Sequence, residues 1–198
     1  MTLYILILLI LSGAGIFFSG TTTWGDTVFD IASLALALLY FIYGFAILNK
    51  TKLSFKAAKD LSFNQAFFGT ATGWTIATII VGAFFKLRMW PGAQVLLWVG
   101  IIGTLIMIVV NYILYKKDEE SKTLFQRSLV HGIIAIIIGA WILSASQEHI
   151  ISLYIQDDND QKDVIEAYHD WQKNPSDSTL HMIYLNKFNE TLKKQKQQ

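Results

Sequence analysis

The chain has 198 residues, of which 53% are hydrophobic and only 16% are charged, whereas soluble domains average about 25% charged residues. Its net charge of +1 provides no extended basic field, which argues against a nucleic-acid partner. Because there is no cysteine, disulfides, thiolate metal sites and a cysteine nucleophile are excluded. The composition points instead to a membrane protein.

Five long apolar segments predict transmembrane helices. They cover residues 2–18, 27–48, 66–85, 94–115 and 124–146. Each approaches the roughly 20 residues that cross about 30 Å of hydrocarbon, and in lipid such a run must be helical to satisfy its own backbone. We therefore expect an all-α, multi-pass protein with a transmembrane bundle over residues 1–147 and a polar tail over residues 148–198.

The first of these segments has a second interpretation. Residues 1–4 hold no basic stretch of the kind that opens a secretory signal, but residues 12–15 read Ser-Gly-Ala-Gly, which resembles a cleavage site. We favour an uncleaved first helix, and a cleaved signal peptide is the alternative.

Lysine and arginine positions predict the orientation in the membrane, because the more basic side is usually cytoplasmic. Eight of them lie at the second and fourth connections between spans, and two lie at the third: Lys50, Lys52, Lys56, Lys59, Lys116, Lys117, Lys122 and Arg127, against Lys86 and Arg88. We expect the N-terminus in the cytoplasm and the tail outside. An abundance of Lys, Asn, Ile and Phe suggests a bacterial source, hence the inner membrane and a periplasmic or extracellular tail. Residues 53–59 are expected to form a short interfacial helix.

The tail predicts a hairpin of two amphipathic helices. The apolar faces consist of Val164, Ile165, Tyr168 and Trp171 in the first helix, and of Leu180, Ile183, Tyr184 and Phe188 in the second. Residues 157–160 are expected to cap the first helix, and Ser176 or Ser178 the second. So small a hairpin rarely buries enough surface to stand alone, so we expect it to pack on the membrane domain or on a partner.

Charged residues near the outer ends of two spans predict an ion pair. Asp30 lies about one turn into the second span, and Lys86 and Arg88 end the third span on the same side. We expect Asp30 to pair with one of these two cations. The alternative is that Lys86 extends to the headgroups on its own.

Two polar residues near the cytoplasmic side predict a second contact. Asn111 in the fourth span and His131 in the fifth are placed to form a hydrogen-bonded pair, and a histidine there could also serve a proton path. No Asp or Glu lies at mid-membrane in any span, which argues against a proton-driven motor or antiporter.

Small residues mark the predicted packing faces. Gly69 and Gly73 form a GxxxG pair in the third span, continued by Ala77, and Ala135 and Gly139 form a similar face on the fifth. Such faces let helices approach closely. The alternative is a polar path along the third span, lined by Thr70, Thr72, Thr75 and Thr78.

The tryptophans fall into two groups by depth. Trp90 lies at the outer interface, as expected for an aromatic belt. Trp74, Trp98 and Trp141 lie deeper in their spans and are expected to pack inside the bundle.

Neither a metal nor a cofactor site is expected. The four histidines share no ligand spacing, and residues 157–160 lack the glycine and the final glutamate of a calcium loop. We also find no nucleophile with a matching base, so no catalytic residue is assigned.

One segment resembles a known family. Residues 81–93 read VGAFFKLRMWPGA, which is similar to the transmembrane hairpin of the GldL family of Bacteroidetes gliding-motility and type IX secretion proteins, where the pattern is roughly G-A-x-F-K-x-x-H-x-P. The resemblance covers the third and fourth spans only. It implies a hairpin anchored by Lys86 and reversed at Pro91 and Gly92. Met89 stands where the family commonly has histidine, and residues 94–115 lack the glutamate of its proton-coupled motor, so motor activity does not carry over.

Three functions compete on this basis. The first is a non-catalytic membrane subunit or scaffold that assembles with itself or other subunits through its small-residue faces and its tail. The second is a small transporter or channel with the threonine-rich third span lining the path. An intramembrane enzyme comes last, because no catalytic set is visible.

Overall fold

The computed structural model of the chain describes residues 23–155, 157–174 and 176–195. Within these residues every regular element is helical. Four helical segments are long and apolar enough to cross a membrane: Thr27–Leu48, Phe63–Leu87, Ala93–Lys117 and Glu119–Ser144. The all-α, multi-pass class is thereby confirmed. The predicted first span, residues 2–18, lies outside the described residues.

Seven α-helices follow one another in the part of the chain that the structure describes. They are α1 (Thr23–Leu48), α2 (Phe63–Leu87), α3 (Ala93–Lys117), α4 (Lys122–Ser144), α5 (Gln147–Tyr154), α6 (Asp158–Lys173) and α7 (Ser178–Gln195). Two short 3₁₀ helices, Phe55–Asp60 and Glu119–Ser121, lie in the connections. The described residues divide into two compact units, Asp30–Ser144 and the remainder, and each is described separately below.

Helix α2 begins three residues before the predicted start of its span because the sequence caps it. Ser62 Oγ accepts a hydrogen bond from the Gln65 amide, and Gln65 Oε1 accepts one from the Ser62 amide. This reciprocal pair is a capping box, which satisfies two amide groups that a helix start leaves open. In the sequence, the Ser-x-x-Gln spacing of residues 62–65 indicates this helix start.

Both α1 and α2 end in a Schellman motif with a left-handed residue that is not glycine. Lys50 (φ 58°) and Met89 (φ 57°) take this position, and the following amides donate back to Ala46 and Phe85 carbonyls at 2.9 and 2.8 Å. The chain then turns into α3 through Gly92, whose φ of 83° is readily available only to glycine.

The bundle of the first unit is held by close contacts between α1 and α2. A Cβ atom added to Gly73 would lie 2.6 Å from Gly44 Cα, and one added to Gly69 would lie 2.9 Å from Phe45 Cα. The two backbones therefore touch without intervening side chains. Gly44, on the α1 side of this contact, was not predicted.

Other small residues on α2 and α4 also lie inside this unit. Ala77 belongs to a buried cluster with Leu36, Tyr40, Ile47 and Ile76, and Ala135 packs against it. A Cβ added to Gly139 would meet Ile79 and Ile101, so α4 contacts both α2 and α3 there. The small-residue faces are thus occupied by contacts within the chain.

Helices α3 and α4 present broad apolar surfaces to the exterior. In an apolar stretch of 18 residues within each span, only 28% of α3 and 22% of α4 is buried, against 56% of α1 and 50% of α2. The expectation that three deep tryptophans pack holds for Trp74 only, whose ring stacks 5.3 Å from Phe41 and whose Nε1 donates to the Phe41 carbonyl at 2.9 Å. Trp74, Trp98 and Trp141 are nevertheless 49%, 55% and 65% exposed. In a bilayer these side chains face lipid, which is as apolar as a protein core and so removes the drive to bury them.

The second unit contains the tail helices α5, α6 and α7. Helix α5 is separate from α4 and is capped by Ser146, whose Oγ accepts from the His149 amide at 3.1 Å. It meets α6 where His169 Nε2 and Glu148 Oε1 lie 2.9 Å apart. The α4 helix therefore ends at Ser144 rather than continuing to residue 146 or beyond.

Helices α6 and α7 form the aromatic core of the tail. The Tyr184 ring lies 5.5 Å from Tyr168 and 6.0 Å from Trp171, and its burial raises its pKa to about 12. Ile183 is exposed, so its predicted place on the buried face of α7 is wrong. That face follows every fourth residue, through Tyr184 and Phe188.

The caps of the tail helices differ in part from expectation. Asp157 caps α6 as predicted, and its bonds from the Asp160 and Asn159 amides lower its pKa. The cap of α7 is Asp177 rather than a serine, since its Oδ1 accepts from the amides of Thr179 and Leu180 at 2.8 and 3.3 Å.

We predict that Gly73→Ala destabilises the protein by about 1–3 kcal/mol, because the new methyl would meet α1 backbone that cannot move aside. Gly103→Ala is the matched control, since its Cβ would meet only the Thr75 side chain, and it should cost less. Denaturant unfolding in detergent micelles measures both. Equal stability of Gly73→Ala and wild type would contradict the backbone contact.

Candidate functional site

A buried cluster of polar side chains joins α2, α3 and α4. Asn111 Nδ2 donates to Thr72 Oγ1 and to Ser128 Oγ, both at 2.9 Å. All three side chains are at most 1% exposed. In a membrane such groups are costly unless they bond with one another, so the amide of Asn111 ties three spans together.

The cluster continues toward the middle of the bundle. Thr104 Oγ1 donates to Thr75 Oγ1 at 3.0 Å, and Thr75 Oγ1 in turn donates to the Thr72 carbonyl at 2.9 Å. Thr104 is fully buried. Thr104 and Thr75 thus form a second hydrogen-bonded pair between α2 and α3. It meets the Asn111 contacts only at Thr72, whose carbonyl accepts from Thr75 while its Oγ1 accepts from Asn111.

The direction of these bonds follows from the hydrogen-bonding capacity of each group. Thr72 Oγ1 donates its hydrogen bond to the Phe68 carbonyl at 2.7 Å. Toward Asn111 it can therefore only act as an acceptor. The amide nitrogen must then face Thr72 and Ser128. This leaves Asn111 Oδ1 buried without a hydrogen-bond partner among the described residues, a group able to accept one more donor.

The predicted pair between Asn111 and His131 is wrong, because the two side chains bond elsewhere. His131 Nδ1 lies 2.5 Å from Tyr40 Oη of α1. Ser128 and Gly132 lie one turn apart and face α3, where Gly132 sits against Thr104. His131 is rotated about 100° from Gly132 around α4, which directs it to α1 instead.

Asp30 pairs with Arg88 rather than with Lys86. Arg88 Nε and Nη2 both donate to Asp30 Oδ1, at 2.8 and 2.5 Å. This pair joins the start of α1 to the end of α2. Lys86 is 7% exposed and lies outside the pair.

The threonines of α2 direct their hydroxyl protons to their own helix. Thr70 donates to the Ala66 carbonyl and Thr78 to the Trp74 carbonyl, each at 2.9 Å, and Thr72 and Thr75 do likewise. Hydroxyls engaged in this way satisfy themselves within a span and need no water. Only Thr72 and Thr75 also accept from another helix.

Three polar residues that make these contacts were not predicted: Tyr40, Thr104 and Ser128. Tyr40 and Thr104 are polar residues in apolar runs, whereas Ser128 follows Gln126 and Arg127, and nothing in their spacing identifies their partners. Within the described part of the chain, no group of three or more His, Cys, Asp or Glu side chains could hold a metal ion.

Comparisons with protein-family models, with curated proteins and with solved structures find no match to this chain. The class defined by its fold is a multi-pass helical membrane protein with a helical tail. Its function must therefore be inferred from its own residues.

We predict that Asn111→Leu and Thr72→Val are energetically coupled by about 0.6 to 1.7 kcal/mol, the range for hydrogen bonds between membrane helices. A double-mutant cycle in detergent or bicelles measures this coupling. Thr78→Val is the matched control, since Thr78 bonds only within α2, and it should add independently to Asn111→Leu. Additivity in the first cycle would show that the buried bond has no energetic weight.

A second cycle tests the ion pair. Asp30→Asn and Arg88→Met should couple by about 0.5 to 1 kcal/mol, because the pair is partly exposed and screened, and added salt should weaken the coupling. Asp30→Asn with Lys86→Met should couple less. A stronger coupling to Lys86 would reverse the assignment of the partner.

Proposed function

We propose that this chain is a non-catalytic integral membrane subunit, or scaffold, of a bacterial inner-membrane assembly. The observation that carries the proposal is the buried cluster around Asn111, in which the polar side chains form hydrogen bonds between α2, α3 and α4. Groups committed to holding helices together are poorly placed to bind and release a substrate. The ion pair of Asp30 and Arg88 fixes α1 to α2 in the same way.

The tail is the part of the chain best suited to meet a partner. Met182 and Ile183 on α7 are both more than half exposed, and neither lies in an apolar candidate span. The small-residue faces of α2 and α4 contact neighbouring helices of the same bundle, so they are not open to another subunit. We therefore place assembly, with itself or with other membrane subunits, at the tail.

The proposed topology has five spans, the four described ones and the segment at residues 2–18. With the basic connections on the cytoplasmic side, the N-terminus lies inside and the tail lies in the periplasm or outside the cell. The resemblance to the GldL hairpin supports the same location, and the left-handed Met89 occupies the position where that family commonly has histidine, a residue that tolerates this conformation better.

A small transporter or channel is the alternative. It is favoured by a row of polar side chains at the α2 and α3 interface, Thr72, Thr75, Thr104 and Asn111, and by the free acceptor at Asn111 Oδ1. Such a row would have to open to water to serve as a path.

Cysteine labelling tests the topology on a chain that has no native cysteine. Gln94→Cys and Ser176→Cys should react with an impermeant maleimide added to intact cells, whereas Lys56→Cys and Lys117→Cys should react only after permeabilisation. All four positions are exposed. The reverse pattern would invert the proposed orientation.

Sizing tests the scaffold itself. Extracted from its native membrane in mild detergent, the wild-type chain should elute in a defined assembly larger than a monomer. Met182→Glu should reduce that size, and Asn186→Glu, which adds the same charge at an exposed polar position of α7, should not. A lone monomer in the native extract would contradict the proposal.

A further inference from the structure

The connection between α1 and α2, residues 49–62, is the most basic surface segment of the described chain. Lys50, Lys52, Lys56 and Lys59 are all exposed, and the only acidic residue among them is Asp60. The connection between α3 and α4 is different, because its lysines flank the acidic run Asp118, Glu119 and Glu120. We call residues 49–62 the basic loop.

One hydrogen-bonding side chain links the two helices that flank the basic loop. Asn49 Nδ2 donates to the Phe45 carbonyl of α1 at 2.9 Å and to the Gln65 carbonyl of α2 at 3.0 Å. One amide thereby joins the end of one span to the start of the next. The lysines are carried on a fixed turn, so less conformational entropy is lost when they bind a ligand.

The 3₁₀ helix Phe55–Asp60 separates its apolar and basic residues. In a 3₁₀ helix residues three apart share a face, which puts Lys56 and Lys59 together. The Phe55 ring lies 5.4 Å from Tyr43 and 6.3 Å from Phe45 of α1, and it is 65% exposed. Lys56 and Lys59 are consequently left side by side on the exposed surface.

The basic loop lies where the hydrocarbon of a bilayer would begin. Tyr43 is five residues before the end of α1, about 7.5 Å along the helix axis, so Phe55 is already at the level of the span. Just after the loop, Phe63 and Phe67 stack with their rings 5.7 Å apart and are 78% and 54% exposed. Two exposed lysines, Lys56 and Lys59, and two exposed aromatic rings, Phe63 and Phe67, thus lie in one short stretch of the chain.

We propose that the basic loop binds an anionic phospholipid, with Lys56 and Lys59 on its phosphate and its acyl chains against Phe63 and Phe67. Ammonium groups form charge-assisted hydrogen bonds with phosphate oxygens, and basic residues at a membrane surface attract anionic lipid. The adjoining apolar rings favour a lipid over a soluble anion. This site does not depend on the proposed function.

The test uses the full chain in nanodiscs of phosphatidylcholine with increasing phosphatidylglycerol, and native mass spectrometry counts the phosphatidylglycerol retained. The double variant Lys56→Glu and Lys59→Glu should weaken retention by about tenfold or more. The double variant Lys116→Glu and Lys117→Glu makes the same change of charge in the connection between α3 and α4, where acidic residues lie beside the lysines. It should retain as much lipid as the wild type does. Added salt should release the lipid from wild type.

A second variant tests the apolar half of the site without altering charge. Phe63→Ser should also reduce retention, and inorganic phosphate at millimolar concentration should not displace the lipid. Equal losses in the two lysine double variants would overturn the proposal by showing a general charge effect. Displacement by phosphate, or full retention by the Lys56 and Lys59 variant, would overturn it as well.

Discussion

The contact between Gly44 and Gly73 brings the α1 and α2 backbones together, and other features of the bundle depend on that closeness. One turn toward the start of α2, Gly69 lies against Phe45 and the Asn49 side chain, which places the Asn49 amide within reach of both helices. One turn in the other direction, Tyr40 lies against α2 and reaches His131 of α4. Larger side chains at either glycine would separate the helices and break both links.

Lipid determines how the remaining polar groups are used. Without water in the hydrocarbon, an uncompensated hydroxyl or amide costs several kcal/mol, so buried groups bond to their own helix or to one another. Thr70 and Thr78 take the first course, while Asn111 and Ser128 take the second. Asn111 Oδ1, in contrast, has no hydrogen-bond partner among the described residues, so this side chain can accept a further donor.

Apolar length identified the four described spans, because the bilayer imposes that length regardless of partners. The contacts between spans were harder to predict, since they depend on how each helix is rotated. Asn111 and His131 lie at similar depths, yet a rotation of α4 sends His131 to Tyr40. Asp30 pairs with Arg88, one of its two predicted partners, because Lys86 and Arg88 both lie at the same end of α2. Trp141 was misjudged because hydrophobicity alone cannot distinguish a core from a lipid-facing surface.

The outward surfaces of α3 and α4 are rich in β-branched side chains, including Val109, Ile133, Ile134, Ile137 and Ile138. Such residues have few rotamers to lose when neighbours press against them, and they hold neighbouring backbones apart. Acyl chains fill such a surface readily, and a second helix would gain little by replacing them. The outward faces of α3 and α4 thus offer the surrounding acyl chains a surface of branched apolar side chains.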